Sequence, residues 1–169
     1  RLFVALELPV AVRDVLLAAM GGVAGARWQT DDQLHLTLRF IGAVDRHGAQ
    51  DIAAALGRVH ATPFDLTLGT PGFFDRHGFV DSLWVGVTPH DAVKALNLRV
   101  EQALVRAGIA AETRAYLPHI TVARMGRSAG AVDAFLARAL PPCRFAVTGF
   151  ALYESTLGGS GAHYAIVQR

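Results

Sequence analysis

Two short segments of this chain repeat one pattern, and that pattern constrains what can be built around it. Leu34-His35-Leu36-Thr37-Leu38-Arg39-Phe40-Ile41 and Pro118-His119-Ile120-Thr121-Val122-Ala123-Arg124 each read His-apolar-Thr-apolar inside an alternating run. Alternation of period two marks a strand with one face against a core. His35 and Thr37 then share one face, with Leu36 and Leu38 on the other; His119 and Thr121 lie opposite Ile120 and Val122 in the same way. Each strand presents an imidazole beside a hydroxyl. One such motif arises often by chance, and a lone strand histidine is ordinarily structural. Two copies, one in each half of the chain and each followed by an arginine (Arg39, Arg124), point to a paired site.

The rest of the pattern supplies a frame for that pair. Leu2 to Leu8 reads as a buried strand stopped by Pro9, and Val12, Val15, Leu16 and Ala19 recur at helical spacing before Gly21-Gly22. A helix is predicted from about Gln50 to Val59 and a strand from Phe64 to Leu68. Phe73-Phe74 and Phe79 to Thr88 predict a hairpin around Arg76-His77-Gly78. Pro89-His90-Asp91 opens a helix with Val93, Leu96, Val100 and Leu104 on one face and Gly108 beyond its end. A short helix from about Ala131 to Leu140 stops at Pro141-Pro142. Arg144 to Tyr153 and His163 to Gln168 are the last predicted strands, joined by a flexible loop at Gly158-Gly159-Ser160-Gly161 that lacks the context of a phosphate-binding loop. Hairpins mixed with helical crossovers predict an α+β fold with antiparallel or mixed sheets. With no linker in the chain, residues 1–169 are expected to form one bilobal domain, its two similar lobes facing a central cleft lined by the His-x-Thr-x strands.

Composition removes several classes of function. At 52% hydrophobic and 18% charged, the 169 residues can bury a core and are not disordered. The longest uncharged apolar stretch, Val15 to Ala26, falls short of the roughly 20 residues a membrane span needs, and no signal peptide is read at the start. The single cysteine, Cys143, suits a reducing compartment, so a cytoplasmic protein is expected, and its place after two prolines reads as structural. A net charge of +2 does not suit indiscriminate coating of nucleic acid. Lys94 is the only lysine; the remaining basic residues are arginine. Coding bias explains that most simply, although the guanidinium fork also matches phosphate oxygens.

The paired motifs carry the chemistry of a phosphodiester. Opening a cyclic phosphodiester needs a base for water, an acid for the leaving ribose oxygen and donors for the non-bridging oxygens. Two histidines titrating near neutrality divide the first two roles, and threonine hydroxyls serve the third. No carboxylate cluster or Cys/His spacing calls for a metal, and no cofactor is expected. Phe40, Trp28, Phe73, Phe74 and Tyr153 are the aromatic residues near the cleft that stack on a base if any does; core packing is the ordinary reading of each, and of Trp84 in its apolar strand. His47, His60, His77, His90 and His163 sit in or beside turns and suggest no site.

On these residues the chain resembles the two-histidine phosphoesterase superfamily, specifically its bacterial and archaeal RNA 2′,3′-cyclic phosphodiesterases, historically called 2′-5′ RNA ligases. The resemblance covers nearly the whole chain. It includes Arg1-Leu2-Phe3-Val4-Ala5-Leu6, His35 to Gly42, Leu83-Trp84-Val85-Gly86-Val87, Pro118 to Arg124 and Leu152-Tyr153-Glu154-Ser155. It implies a bilobal α+β fold and hydrolysis of RNA 2′,3′-cyclic phosphate ends, or of cyclic nucleotides, to 2′-phosphates. It further implies that His35 is the proton donor, His119 the proton acceptor, and Thr37 and Thr121 hold the phosphoryl oxygens. Arg124 matches an arginine that follows the second motif, but strict alternation turns it away from His119, so a bulge or strand end is needed. Arg39 has the opposite standing, on the His35 face by parity and less firmly placed by the resemblance. With Phe40 and Tyr153 these arginines complete the expected substrate-binding set. A monomer without membrane association is expected. The rival readings are reversible 2′-5′ joining of RNA ends by the same histidines, and a nucleotide- or RNA-binding domain without turnover. Intact histidines and threonines in both motifs argue against the latter.

Overall fold

The computed structural model describes residues 1–159 and 161–169; Ser160, in the loop expected to be flexible, lies outside the described residues. The chain opens with β1 (Leu2–Leu6), buried throughout, and α1 (Val10–Ala18), which starts after Pro9 and buries Val12 and Leu16 one turn apart. Next come β2 (Arg27–Trp28), a 3₁₀ turn at Asp31–Gln33, β3 (Leu36–Gly42) and α2 (Arg46–Leu56). Then follow β4 (Phe64–Arg76), β5 (Phe79–Thr88), α3 (Asp91–Arg106), β6 (His119–Arg124), α4 (Asp133–Leu136), β7 (Arg144–Val147), β8 (Ala151–Gly158) and β9 (Gly161–Gln168).

The strands make two antiparallel sheets, of order β3-β1-β8-β9 and β2-β6-β5-β4-β7. The α+β class is as expected from the sequence. The lobes, however, are not the two halves of the chain. The first sheet joins both ends of the sequence, and the second takes its middle together with β2. One apolar core unites them: Leu36 and Leu38 from the first sheet, Ile120 and Val122 from the second, and Val93, Leu96, Val100 and Leu104 from the predicted face of α3. On its other face the first sheet carries a small separate cluster of Phe3, Ala5, Ala151 and Tyr153.

Several elements differ from the sequence reading. The predicted strand from Arg144 to Tyr153 is two strands in different sheets: β7 pairs with β4, while β8 pairs with β1. The switch falls at Thr148-Gly149-Phe150. Both pieces are apolar enough to pair, and alternation cannot say with which neighbour. The helix expected over Ala131 to Leu140 is only one turn, anchored by fully buried Phe135. Helix α2 begins at Arg46 because the Asp45 carboxylate caps it, accepting the Gly48 N–H at 2.7 Å. The β4–β5 hairpin turns where predicted, with φ of 51° at His77 and 82° at Gly78, the paired positive values of a two-residue turn.

Candidate active site

His35 immediately precedes β3, and His119 is the first residue of β6. Each ring is anchored to the backbone two residues upstream. His35 Nδ1 donates to the Gln33 carbonyl at 2.8 Å, and His119 Nδ1 to the Leu117 carbonyl at 2.7 Å. A carbonyl only accepts, so in both neutral rings Nδ1 carries the proton and Nε2 holds the free lone pair. Gln33 is itself pinned, its side chain bonding Ala162 O and the Thr30 N–H. Phe3 lies 4.8 Å from the His35 ring and Tyr164 meets it edge-on at 5.2 Å, while Phe74 meets His119 edge-on at 4.9 Å.

This packing makes both imidazoles hard to protonate. Burial lowers His35 from its ordinary 6.5 to about 4; the Gln33 hydrogen bond opposes the fall, and the charges of Arg124 and His119 deepen it. Burial likewise lowers His119, against its Leu117 bond and with help from Arg124. Arg124 thus acts on both rings, and His119 acts on His35, so strands from two sheets meet at one site.

Arg124 reaches that site through a bulge. In β6, Thr121 pairs with Trp84 and Ala123 with Leu83, which leaves Val122 without a partner of its own. The extra residue shifts the alternation, so Ala123 is buried and Arg124 returns to the His119 face. The first motif does the same. Thr37 pairs with Ala5 and Arg39 with Val4, leaving Leu38 over. Leu38 and Arg39 are both buried, and Phe40 emerges 52% exposed beside Phe3, at a ring separation of 5.5 Å.

The bulge therefore removes Arg39 from the expected substrate-binding set. Its guanidinium sits in the interior, bonded to Glu101 Oε2 at 2.5 Å, to Ala110 O at 2.5 Å and to Phe40 O. Those bonds, with a longer one to Glu101 Oε1, occupy most of its five donors. Helix α3 holds the bulge from behind: Asn97 donates to Leu38 O at 2.8 Å one turn before Glu101. Tyr116 OH donates to Thr37 O at 2.9 Å, so the segment leading into the second motif is tied to the first. Sequence reasoning missed Tyr116, Asn97, Glu101 and Gln33. The one visible signal was a pair of polar residues, four apart, flanking the apolar stripe of α3.

The aromatic candidates separate. Phe40 offers an open face. Tyr153 does not: it is buried and stacks on Phe3 at 5.0 Å, forming the wall behind His35 rather than a platform for a base. Trp28 packs on Phe135, and Phe73 lies opposite Leu83, away from the cleft. Trp84, read from sequence as core, faces the cleft instead. Its ring centroid is 6.0 Å from that of His119, and it lies over Gly72, where an added Cβ would come within 2.3 Å of the ring. Among the described residues, no group of three or more His, Cys, Asp or Glu is placed to hold a metal ion.

Two neutral imidazoles presenting Nε2, a hydroxyl beside each and one guanidinium acting on both define a two-histidine phosphoesterase. The chain belongs to the 2′-5′ RNA ligase superfamily, whose profile matches residues 17–159. It is similar to an RNA 2′,3′-cyclic phosphodiesterase of Escherichia coli, 32% identical over all of this chain and 94% of that protein. The protein of the same description in Thermotoga maritima is 29% identical over 99% of this chain and 92% of its own length. Among solved structures, E. coli LigT complexed with 3′-AMP superposes with a TM-score of 0.81 at 28% identity, covering 100% of this chain and 95% of that one. No helix among the described residues is long and apolar enough to cross a membrane.

Proposed function

We propose that residues 1–169 act as one catalytic unit that hydrolyses RNA 2′,3′-cyclic phosphates to 2′-phosphates without a metal ion. The observation that carries this reading is the matched anchoring of the two rings, each held through Nδ1 with Nε2 left for chemistry. Before substrate binds, both imidazoles are neutral at pH 7. A bound cyclic phosphate brings one negative charge, which favours the imidazolium, and His35 takes up a proton on Nε2. His119 Nε2 then takes a proton from water as its oxygen attacks phosphorus. The bond from phosphorus to O3′ breaks, and His35 Nε2 delivers its proton to that oxygen. Thr37, Thr121 and Arg124 hold the phosphoryl oxygens as charge gathers on them. Phe40 provides the stacking face for the terminal base.

The test is direct. Incubation with a 2′,3′-cyclic mononucleotide is expected to yield the 2′-phosphate at the same rate with and without chelator. Activity lost in EDTA and restored by a divalent cation would overturn the two-histidine mechanism, and absence of any product would overturn the activity.

A further inference from the structure

Beyond Arg124 the cleft face of the second sheet carries more positive charge than one phosphate needs. Arg27 of β2 stands directly opposite Arg124 in the ladder, and partners in register project to the same face. Like charges so placed repel, a net cost unless an anion lies against them. The same cross-strand row runs on into β5 and β4. Phe74, which touches His119, pairs with Ser82, and Ser82 pairs with Arg124. Asp81 is the unpaired residue of a bulge, after which Val80, opposite Asp75, packs on the core while Phe79 and Arg76 stay on the Phe74 face. Arg127, just past β6, lies over the Phe79 ring at 5.5 Å. Arg27, Arg76, Arg124 and Arg127 are all exposed, and among the described residues none has a carboxylate at ion-pair distance.

We infer that Arg27, Arg76 and Arg127, with Phe79, form a track for the RNA strand that leads up to the cyclic phosphate, so that an oligonucleotide end is preferred over a mononucleotide. The inference rests on the cyclic phosphodiesterase reading above and names the substrate class of that same site. A 2′,3′-cyclic phosphate is the 3′ end of its strand, so the polymer leaves the cleft in one direction only. Arg76, Phe79 and Arg127 likewise extend from Arg124 in one direction, toward the β4–β5 turn, with Arg27 beside Arg124 at the β2 edge. Guanidinium groups interleaved with an aromatic ring suit a single strand of any sequence, by phosphate pairing and by stacking.

Two substrates with the same reacting group test this: a 2′,3′-cyclic mononucleotide and a short RNA ending in the same cyclic phosphate. The RNA is expected to show a kcat/KM about tenfold higher or more, from its added phosphate contacts. The double variant Arg76→Ala/Arg127→Ala is expected to lose most of that advantage while turning over the mononucleotide, which does not extend past Arg124, at the normal rate. Its dependence of log kcat/KM on log salt should be shallower by about 1.4, at about 0.7 per phosphate contact on a single strand. Unchanged kcat/KM on RNA, with the mononucleotide hydrolysed normally, overturns the track and leaves the activity standing. If neither substrate is hydrolysed the activity reading fails instead. Fluorescence anisotropy of a labelled RNA 3′-phosphate then tests the track by itself: about tenfold weaker binding by the double variant supports it, and equal binding overturns it.

Discussion

The two histidine strands are alike in everything their motif specifies and unlike in the two residues beyond it. Both anchor Nδ1 on the carbonyl two residues back, both bulge at the residue after the threonine, and both bring their fifth residue past the histidine onto the cleft face. That fifth residue is Phe40 in one strand and Arg124 in the other. The fourth, turned inward, is Arg39 in one and Ala123 in the other, and only Arg39 needs an ion-pair partner. The repeat supplies the proton chemistry twice, and the bulge offers one further position in each lobe. In the proposed mechanism the lobes divide the substrate there, Phe40 meeting the base and Arg124 the phosphate. They also differ in burial: His35 lies among Phe3, Tyr153 and Tyr164 and falls to about 4, the deeper perturbation.

Removing either ring is the strongest challenge to the symmetry. His35→Ala and His119→Ala are each expected to lower turnover by about two to four orders of magnitude with the fold intact. Each should also abolish a different limb of the pH–rate profile; loss of the same limb in both would end the division into acid and base. A double variant that stays folded and keeps wild-type turnover removes both from the mechanism.

The two arginines sharpen the contrast by failing differently. Arg39→Ala leaves the part-buried Glu101 carboxylate without its cation, holding only the Glu112 N–H, so chemical denaturation should show a loss of about 3 kcal/mol. Its kinetics per folded molecule should match wild type. Arg124→Ala should leave stability within about 0.5 kcal/mol, as for an exposed side chain, yet lower kcat/KM about a hundredfold. Lysine should rescue it only in part, keeping the charge and losing the fork. A raised KM in folded Arg39→Ala beside a harmless Arg124→Ala would mean that simple strand parity was right after all.

Smaller effects separate the lobes further. Phe40→Ala should raise KM roughly tenfold, the loss of one base stack of about 1–3 kcal/mol, and Phe40→Trp should retain most binding. The pH dependence of stability isolates His35. Its folded pKa lies below its ordinary one, so between pH 6.5 and about 4 the unfolded chain takes up a proton that the folded chain refuses. Stability should therefore fall as pH drops through that window, by at most about 3 kcal/mol and by less for a ring at an open cleft. His35→Gln should flatten the slope relative to wild type; equal slopes would show that the ring titrates alike in both states.

The sequence by itself determined the chemistry and most of the elements. The His-x-Thr-x pairs fixed which side chains share a face. The stripe of Val93, Leu96, Val100 and Leu104 placed α3, and His77-Gly78 placed the hairpin turn. These are local properties, readable from a period of 2 or 3.6 and from turn chemistry within a few residues. Tertiary structure alone decided the fate of the arginines and the composition of the lobes. A bulge is a mismatch between a strand and its neighbour, so it exists only once β3 meets β1 and β6 meets β5. Whether the residues from Arg144 to Tyr153 served one sheet or two likewise depended on β4 and β1, strands far off in the chain. Alternation tells a residue which of two faces it shares with its neighbours. It cannot say where register slips by one, and that slip is what buries Arg39 and delivers Arg124 to the two histidines.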